Sequence, residues 1–288
     1  MRVVRAPQEL DVADRAVALG TFDGVHLGHR RVIEAAITAG LRGMVVTFDP
    51  HPRSALGNRV ELLATLERRL ELLAGLGVEE TLVLPFTPDL ALHTPEEFAR
   101  TVLEPIGARV VVAGDNFRFG RGRAGDLDLL RQLGFDSRPV TLVEGVSSSR
   151  IRRLLRAGDV LGAAELLGRP PEVEGTVVAG DARGGTLGYP TANLSAPADL
   201  LVPAHGIYAG EALGHRVAMS IGVNPHYGGD ERRIEPFLLD YEGDLYGQRL
   251  VVEIWQRLRD ERAFSSEAEL VGQIGRDVEA AREAVKPL

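Results

Sequence analysis

Hydrophobic and polar residues recur with two different periods along the chain. Up to about residue 143, short β-branched runs alternate with stretches whose apolar residues recur every three or four positions. Such runs are typical of buried strands, and such stretches are typical of amphipathic helices. The pattern predicts strands at residues 16–19, 44–48, 81–84, 109–113 and 139–143. It predicts helices between them at residues 30–39, 66–76, 95–103 and 126–133.

Strands that alternate with helices indicate parallel crossovers, and hence an α/β fold with a doubly wound, Rossmann-like parallel sheet. In such a sheet, ligands bind at the carboxyl ends of the strands. Helical periodicity continues at residues 148–157 and 161–167, and the segment GRPP at residues 168–171 ends it. We therefore expect two domains, residues 1–168 and 169–288.

Beyond residue 169 the hydrophobic period becomes two. Antiparallel strands joined by glycine-rich turns are predicted at residues 175–179, 206–211, 217–223, 234–240 and 249–255. Five or six short strands favour a small β-barrel. A C-terminal amphipathic helix at residues 266–285 is predicted to close one side of it.

The composition narrows the chemistry of this 288-residue chain. Its net charge of 33 − 41 = −8 argues against a general nucleic-acid binder. The absence of cysteine excludes thiol nucleophiles and cysteine-bound metals. Lys286 is the only lysine, which excludes a Walker-type loop and a Schiff-base lysine from the body of the chain. The first residues lack a signal-peptide core and no apolar run approaches the ~18 residues of a membrane span, so we expect a cytoplasmic protein without a membrane partner.

A first candidate site follows the first predicted strand, in the segment GTFDGVHLGH at residues 20–29. Glycines let the backbone approach a ligand closely, and a helix start directs free amides at an anion. Two other readings fit this short pattern: a capped turn with incidental histidines, or a metal pair, which lacks a nearby third ligand. The candidate ATP- and phosphate-binding residues are Gly20, Phe22, Asp23, Gly24, His26, Gly28 and His29.

A second segment, SSSRIR at residues 147–152, follows the last predicted strand of the sheet. Taken alone, it fits a serine-capped helix with exposed arginines. However, a parallel sheet brings both segments to one rim. We therefore expect Ser148 and Arg152 to bracket a triphosphate together with the histidines.

These two segments, HxGH and SSSxIR, resemble those of the nucleotidylyltransferase superfamily. The segments TFDPHP at residues 47–52 and GDNFRFG at residues 114–120 narrow the resemblance to the FMN adenylyltransferase module of prokaryotic bifunctional riboflavin kinase/FAD synthetases. The resemblance implies that FMN attacks the α-phosphorus of ATP and displaces pyrophosphate. One departure is the segment at residues 144–146, which is short and lacks a basic residue often found there.

The same resemblance assigns roles to individual residues. His26 and His29 would stabilise the charge that builds on the triphosphate, and Ser148 and Arg152 would hold the pyrophosphate side. Asn116 would contact the phosphate and metal region. The candidate flavin-binding residues are Pro50, Pro52 and Asn116.

The second domain opens with a glycine-rich segment, GDARGGTLGYPTAN, at residues 180–193. Its glycines would let backbone amides wrap phosphates without a lysine, although a flexible loop between strands fits the glycines equally well. The hydroxyl of Thr191 and the amide oxygen of Asn193 are hard ligands suited to Mg²⁺. The candidate ATP-binding residues here are Gly180, Arg183, Gly188 and Thr191.

The PTAN tail of this segment resembles the riboflavin kinase signature, and the likeness continues through residues 206–209, 220–225, 238–240 and 244–247. It implies a six-stranded Greek-key barrel in which Thr191 and Asn193 serve Mg²⁺ and ATP. It also implies that Glu235 takes the proton from the riboflavin 5′-hydroxyl. From the residues alone, Glu235 instead fits an outward-facing strand residue beside two arginines. The chain departs from the kinase pattern at Gly185, His226, Tyr227 and Pro236.

The sequence therefore supports a bifunctional enzyme whose substrates and products are riboflavin, FMN, FAD and ATP. Two other readings stay open: an enzyme that keeps only the adenylyl transfer, and a flavin-binding protein without turnover. The presence of both histidines and of Thr191, Asn193 and Glu235 counts against the last. The sequence does not fix the oligomeric state.

Overall fold

The computed structural model describes residues 1–179, 189–223 and 232–288. Within it the chain forms two compact units, Met1–Ser147 (unit 1) and Ser148–Leu288 (unit 2). This division precedes the helices at residues 148–167, which the sequence analysis assigns to the first domain. The domain assignment 1–168 and 169–288 stays a prediction.

Unit 1 contains a parallel sheet. Its strands are β1 (Arg2–Val4), β2 (Arg15–Leu19), β3 (Arg42–Asp49), β4 (Glu80–Pro85), β5 (Ala108–Gly114) and β6 (Asp136–Val140). They lie in the order β1-β4-β3-β2-β5-β6, and every neighbouring pair is parallel. The chain moves outward from β2 through β3 and β4, then returns to β5 on the other side of β2. The doubly wound sheet is confirmed, and its switch point lies between β2 and β5.

Helices connect these strands. They are α1 (Leu27–Ile37), α2 (Pro52–Ala55), α3 (Leu66–Gly75), α4 (Pro88–Leu92), α5 (Pro95–Phe98) and α6 (Leu127–Gln132). A π-helical turn, Ala99–Leu103, continues α5, and two single 3-10 turns occupy Pro7–Glu9 and Arg121–Arg123. The helices α1, α3 and α6 confirm the helices predicted from the three- and four-residue spacing of apolar positions.

The sheet of unit 1 is covered on both faces. Along β2 every residue is buried, with Val17 and Leu19 in one apolar cluster and Ala16 and Ala18 in the other. Burial on both faces explains why the strands appear in the sequence as nearly continuous apolar runs.

Two strands of unit 1 differ from the prediction. The strand β1 was not predicted because three residues are too few for a pattern. The strand β6 ends at Val140, whereas residues 139–143 were predicted. Because β6 pairs only with β5, it tolerates polar residues, and the apolar Leu142 beyond it is exposed.

Unit 2 begins with the helices α7 (Ser148–Arg156) and α8 (Val160–Leu167). Its described strands are β7 (Glu172–Val178), β8 (Asn193–Ser195), β9 (Gly206–Ala212), β10 (His215–Val223), β11 (Arg232–Leu238) and β12 (Arg249–Arg259). The final helix, α9, spans Glu267–Glu283. The three-residue β8 was too short to predict.

The strands of unit 2 form an antiparallel sheet in the order β11-β10-β9-β12-β7-β8. The sheet curls until Ala192, which precedes β8, donates its N–H to the carbonyl of Pro236 in β11, 2.9 Å away. This contact nearly closes the sheet into the predicted barrel. Helix α9 packs against β9, β10 and β12, as predicted for the C-terminal helix.

Candidate active sites

The loop between β2 and α1 lies at the switch point of the unit 1 sheet. It turns sharply, since Phe22, Gly24 and Val25 all have positive φ angles of 50°, 79° and 42°. Residues other than glycine seldom adopt this conformation, and those that do cluster at functional sites. A Cβ on Gly20 would lie 3.0 Å from the buried ring of Phe22. The glycine therefore lets this ring fold back onto the strand end.

The two histidines of the loop are stacked. Their ring centroids are 3.5 Å apart, with an interplanar angle of 15°. His26 caps α1, because its Nδ1 accepts the backbone N–H of His29 over 3.2 Å. An accepting Nδ1 carries no proton, so the proton of a neutral His26 lies on Nε2, where it is a donor. The positive end of the α1 dipole and this imidazole together suit an anion.

Asp23 and Gly24 join this loop to the segment that precedes α3. The buried Asp23 accepts the backbone N–H of Leu63 on Oδ1, over 2.9 Å. A Cβ on Gly24 would lie 2.8 Å from the Cβ of Leu63, so only glycine fits the close approach. Both contacts fix the position of the loop. That these two residues also contact ATP stays a prediction.

The other candidate residues of unit 1 lie at the ends of neighbouring strands. Asn116 follows β5 and is exposed, and Pro50 and Pro52 follow β3 on the opposite side of β2. The structure therefore brings residues 20–29, Pro50, Pro52 and Asn116 to one edge of the sheet. Ser148 is half-buried and Arg152 is buried in α7, which belongs to unit 2. Their placement beside the histidines stays a prediction.

Unit 2 contains a cavity of about 430 Å³. Thr191, Asn193 and Glu235 all line it, together with Arg233, and Phe237 and Ile274 supply apolar wall. Along β11, Arg233, Glu235 and Phe237 alternate with buried residues of the barrel interior. Glu235 therefore lies on the face of β11 opposite the barrel interior, beside Arg233 as the residues alone indicated, and on this face it lines the cavity. One oxygen of Glu235 lies 3.6 Å from an Nη of Arg233.

The wall of this cavity contains charged residues that the sequence analysis missed. Arg259 and Asp277 form a close pair, with an Nη2–Oδ2 distance of 2.6 Å. Arg262 donates to the Oε1 of Gln273 over 2.8 Å. A buried aspartate on a helix is an unusual residue, so Asp277 could have been singled out from the predicted apolar face of α9. Gly180, Arg183, Gly185, Gly188, His226 and Tyr227 lie outside the described residues.

The side-chain oxygen atoms in the cavity fit Mg²⁺ as ligands. In residues 1–179, 189–223 and 232–288, no group of three or more His, Cys, Asp or Glu side chains could hold a metal ion. Mg²⁺ does not need such a group, because it is commonly bound by one or two protein oxygens together with substrate phosphates and water. The oxygens of Thr191 and Asn193, which line the cavity, are of this kind. Across the described parts of the chain, no helix is long and apolar enough to cross a membrane.

Comparisons with known proteins match both units. The family model for FAD synthetase matches residues 9–151, and that for riboflavin kinase matches residues 167–285. A protein from Listeria monocytogenes named bifunctional riboflavin kinase/FMN adenylyltransferase is 36% identical, with 93% of this chain and 92% of the relative covered. One of the same name from Escherichia coli is 35% identical, with 98% and 97% covered. A crystal structure from Streptococcus pneumoniae, named as a macrolide-efflux protein, is 32% identical, with a TM-score of 0.88 and coverage of 98% and 99%.

Proposed function

Because this chain belongs to the family of bifunctional riboflavin kinases/FMN adenylyltransferases, we propose that its two units catalyse successive reactions with ATP. In unit 2, riboflavin is phosphorylated to FMN. In unit 1, FMN is adenylylated to FAD.

The kinase reaction uses the cavity of unit 2. The 5′-hydroxyl oxygen of riboflavin attacks the γ-phosphorus of ATP, its proton moves to the carboxylate of Glu235, and ADP leaves. A neutral hydroxyl is a weak nucleophile and needs a base within hydrogen-bond reach. The half-buried Glu235 lines the same cavity as Thr191 and Asn193, which supports this role.

The adenylyl transfer uses the strand ends of unit 1. A phosphate oxygen of FMN attacks the α-phosphorus of ATP, the bond to the β-phosphate breaks, and pyrophosphate leaves. The attacking oxygen is already ionised, so no general base is required. His26, His29 and the amides at the start of α1 hold the triphosphate and stabilise the charge that builds on it. Catalysis here consists of positioning and fixed donors.

Mg²⁺ fits both the cavity and the chemistry of the kinase. Thr191 and Asn193 would hold it beside the ATP phosphates. When bound, the ion neutralises charge on these phosphates. We also propose that the enzyme works in the cytoplasm, where ATP is abundant, which subcellular fractionation would test.

One observation carries the proposal: Glu235, Thr191 and Asn193 line a single cavity. The test is to incubate the purified chain with ATP, Mg²⁺ and either riboflavin or FMN, and to separate the flavins by chromatography. We expect FMN and FAD from riboflavin, and FAD from supplied FMN. If riboflavin yields neither product, the bifunctional assignment is wrong. If only supplied FMN is converted, the chain is an adenylyltransferase alone.

Reciprocal variants assign each reaction to a unit. Glu235→Gln removes the base and should lower FMN formation about 10²- to 10⁴-fold, while FAD formation from FMN stays unchanged. His29→Ala removes a donor and should lower FAD formation about 10²- to 10³-fold, while FMN formation stays unchanged. Each variant is the control for the other. Equal loss of both activities in either variant would contradict separate sites.

A further inference from the structure

Arg69 is a buried arginine beneath the strand ends of unit 1, and no motif of the sequence singled it out. It lies on α3 and is only 5% exposed. Its Nη1 donates to the carbonyl of Thr21 over 2.8 Å, and its Nη2 donates to the carbonyl of Phe48 over 3.0 Å. One guanidinium thus joins the loop after β2 to the end of β3.

These two carbonyls belong to the segments that carry the candidate site residues. Thr21 lies five residues before His26, and Phe48 lies two residues before Pro50. The carbonyl of Thr21 also accepts the hydroxyl of Thr47 over 3.0 Å. Together with the bond from Leu63 to Asp23, these contacts attach the histidine loop to β3 and to the chain around α3.

The stability of the fold gives little reason for a charge at this position. Burial lowers the pKa of the Arg69 guanidinium, and the carboxylates of Asp23 and Asp49 counter only part of this effect. Its Nε is buried and has no hydrogen-bond partner among the described residues. Replacing a buried charge by a well-packed apolar side chain of similar volume is often neutral or stabilising. A planar fork that holds two backbone carbonyls is, however, suited to fixing two segments in one geometry.

We propose that Arg69 is a positioning residue for the adenylyl transfer, which holds the histidine loop and the end of β3 in register. The inference rests on the proposed function of unit 1. Both of these hydrogen bonds from Arg69 go to backbone carbonyls, so it acts through the residues that it places. A displacement of about 1 Å in a catalytic group can lower a rate by about 10²-fold.

The test compares Arg69→Met with Arg69→Lys in the full chain. Arg131→Met is the matched control, because Arg131 belongs to the same unit, is 54% exposed and pairs with Asp128 in its own helix. We expect Arg69→Met to lower the kcat of FAD formation from FMN about 10²-fold, with much smaller changes in KM. Arg69→Lys keeps a cation that can reach one carbonyl, so its kcat should be intermediate. Arg131→Met should match the unchanged protein.

The kinase reaction is measured on the same preparations. Because it belongs to unit 2, it should be unchanged in all variants, and thermal unfolding should show a folded unit 1. If Arg69→Met does not fold, the kcat of FAD formation in folded Arg69→Lys tests the proposal, and a lowered value is expected. An unchanged kcat of FAD formation in the folded Arg69 variants would overturn the proposal. Failure of the unchanged protein to form FAD from FMN would instead remove the function on which the proposal rests.

Discussion

Single atoms decide the geometry around the histidine loop, and Gly28 shows this most directly. Gly28 lies in the first turn of α1, where a Cβ would lie 3.2 Å from Cε1 and 3.3 Å from Nδ1 of His26. The missing side chain therefore makes room for the imidazole that caps the helix. By contrast, Gly75 at the end of α3 has no atom within 4 Å of its Cβ position.

We predict that Gly28→Ala separates stability from activity. Alanine favours a helix over glycine by about 0.5–1 kcal/mol, which offsets the tight contact, so the free energy of unfolding should change little. The ring of His26 must shift by a few tenths of an ångström, and FAD formation should fall about tenfold. Gly75→Ala is the matched control and should leave FAD formation unchanged. Unchanged activity in Gly28→Ala would show that the position of His26 is not critical.

Among the elements, β11 shows how a strand accommodates the proline at position 236. Proline removes a donor from a strand, and Pro236 directly follows the proposed base. In the structure β11 is the end strand of the sheet order, and Pro236 is paired in register with Met219 of β10. The carbonyl of Pro236 points the other way and accepts the N–H of Ala192. Since the N–H and C=O of one strand residue point to the same side, the missing donor costs no bond to β10.

We therefore predict that Pro236→Val keeps the kinase activity. The free energy of unfolding should fall by about 0.4–1 kcal/mol, because valine gives the unfolded chain more freedom. FMN formation and urea unfolding are the two measurements, and FAD formation in unit 1 is the internal control. A large gain in FMN formation would show instead that the proline impairs this kinase.

At the scale of the whole molecule, hydrophobic periodicity predicted both architectures. Helices and strands that pack on a core bury residues at a fixed spacing, and this spacing is visible in the sequence. It missed β1 and β8, whose three residues form no period. Parallel strand ends meet at one edge, so the grouping of the histidine loop with Asn116 followed from the strand assignments. The hydrogen bonds of Arg69 and the pairing of Asp277 with Arg259 could not be predicted, because the partners are backbone carbonyls or a residue distant in sequence.

Carboxylates with lowered pKa values are present in both units. Hydrogen bonds from Arg42 to Asp11 and from the Thr94 backbone to Glu97 lower these two pKa values in unit 1. In unit 2 a hydrogen bond from Arg282 lowers the pKa of Asp240, and one from the Ser265 backbone lowers that of Glu269. A lowered folded pKa stabilises the fold above the unfolded pKa, and this contribution is lost as the pH falls through the folded pKa.

We predict that unit 2 loses stability as the pH falls below the ordinary values of 4.5 for glutamate and 3.8 for aspartate. Trp255, the only tryptophan, is buried in this unit and reports its unfolding by fluorescence. Glu269→Gln keeps an acceptor without a titrating charge, so its urea midpoint should fall less steeply. Salt at about 1 M screens the exposed Asp240–Arg282 pair. It should therefore reduce the contribution of Asp240 to the pH dependence, which Asp240→Asn removes, more than the contribution of Glu269, whose carboxylate is bonded to backbone. Identical pH slopes for Glu269→Gln and the unchanged protein would contradict this assignment.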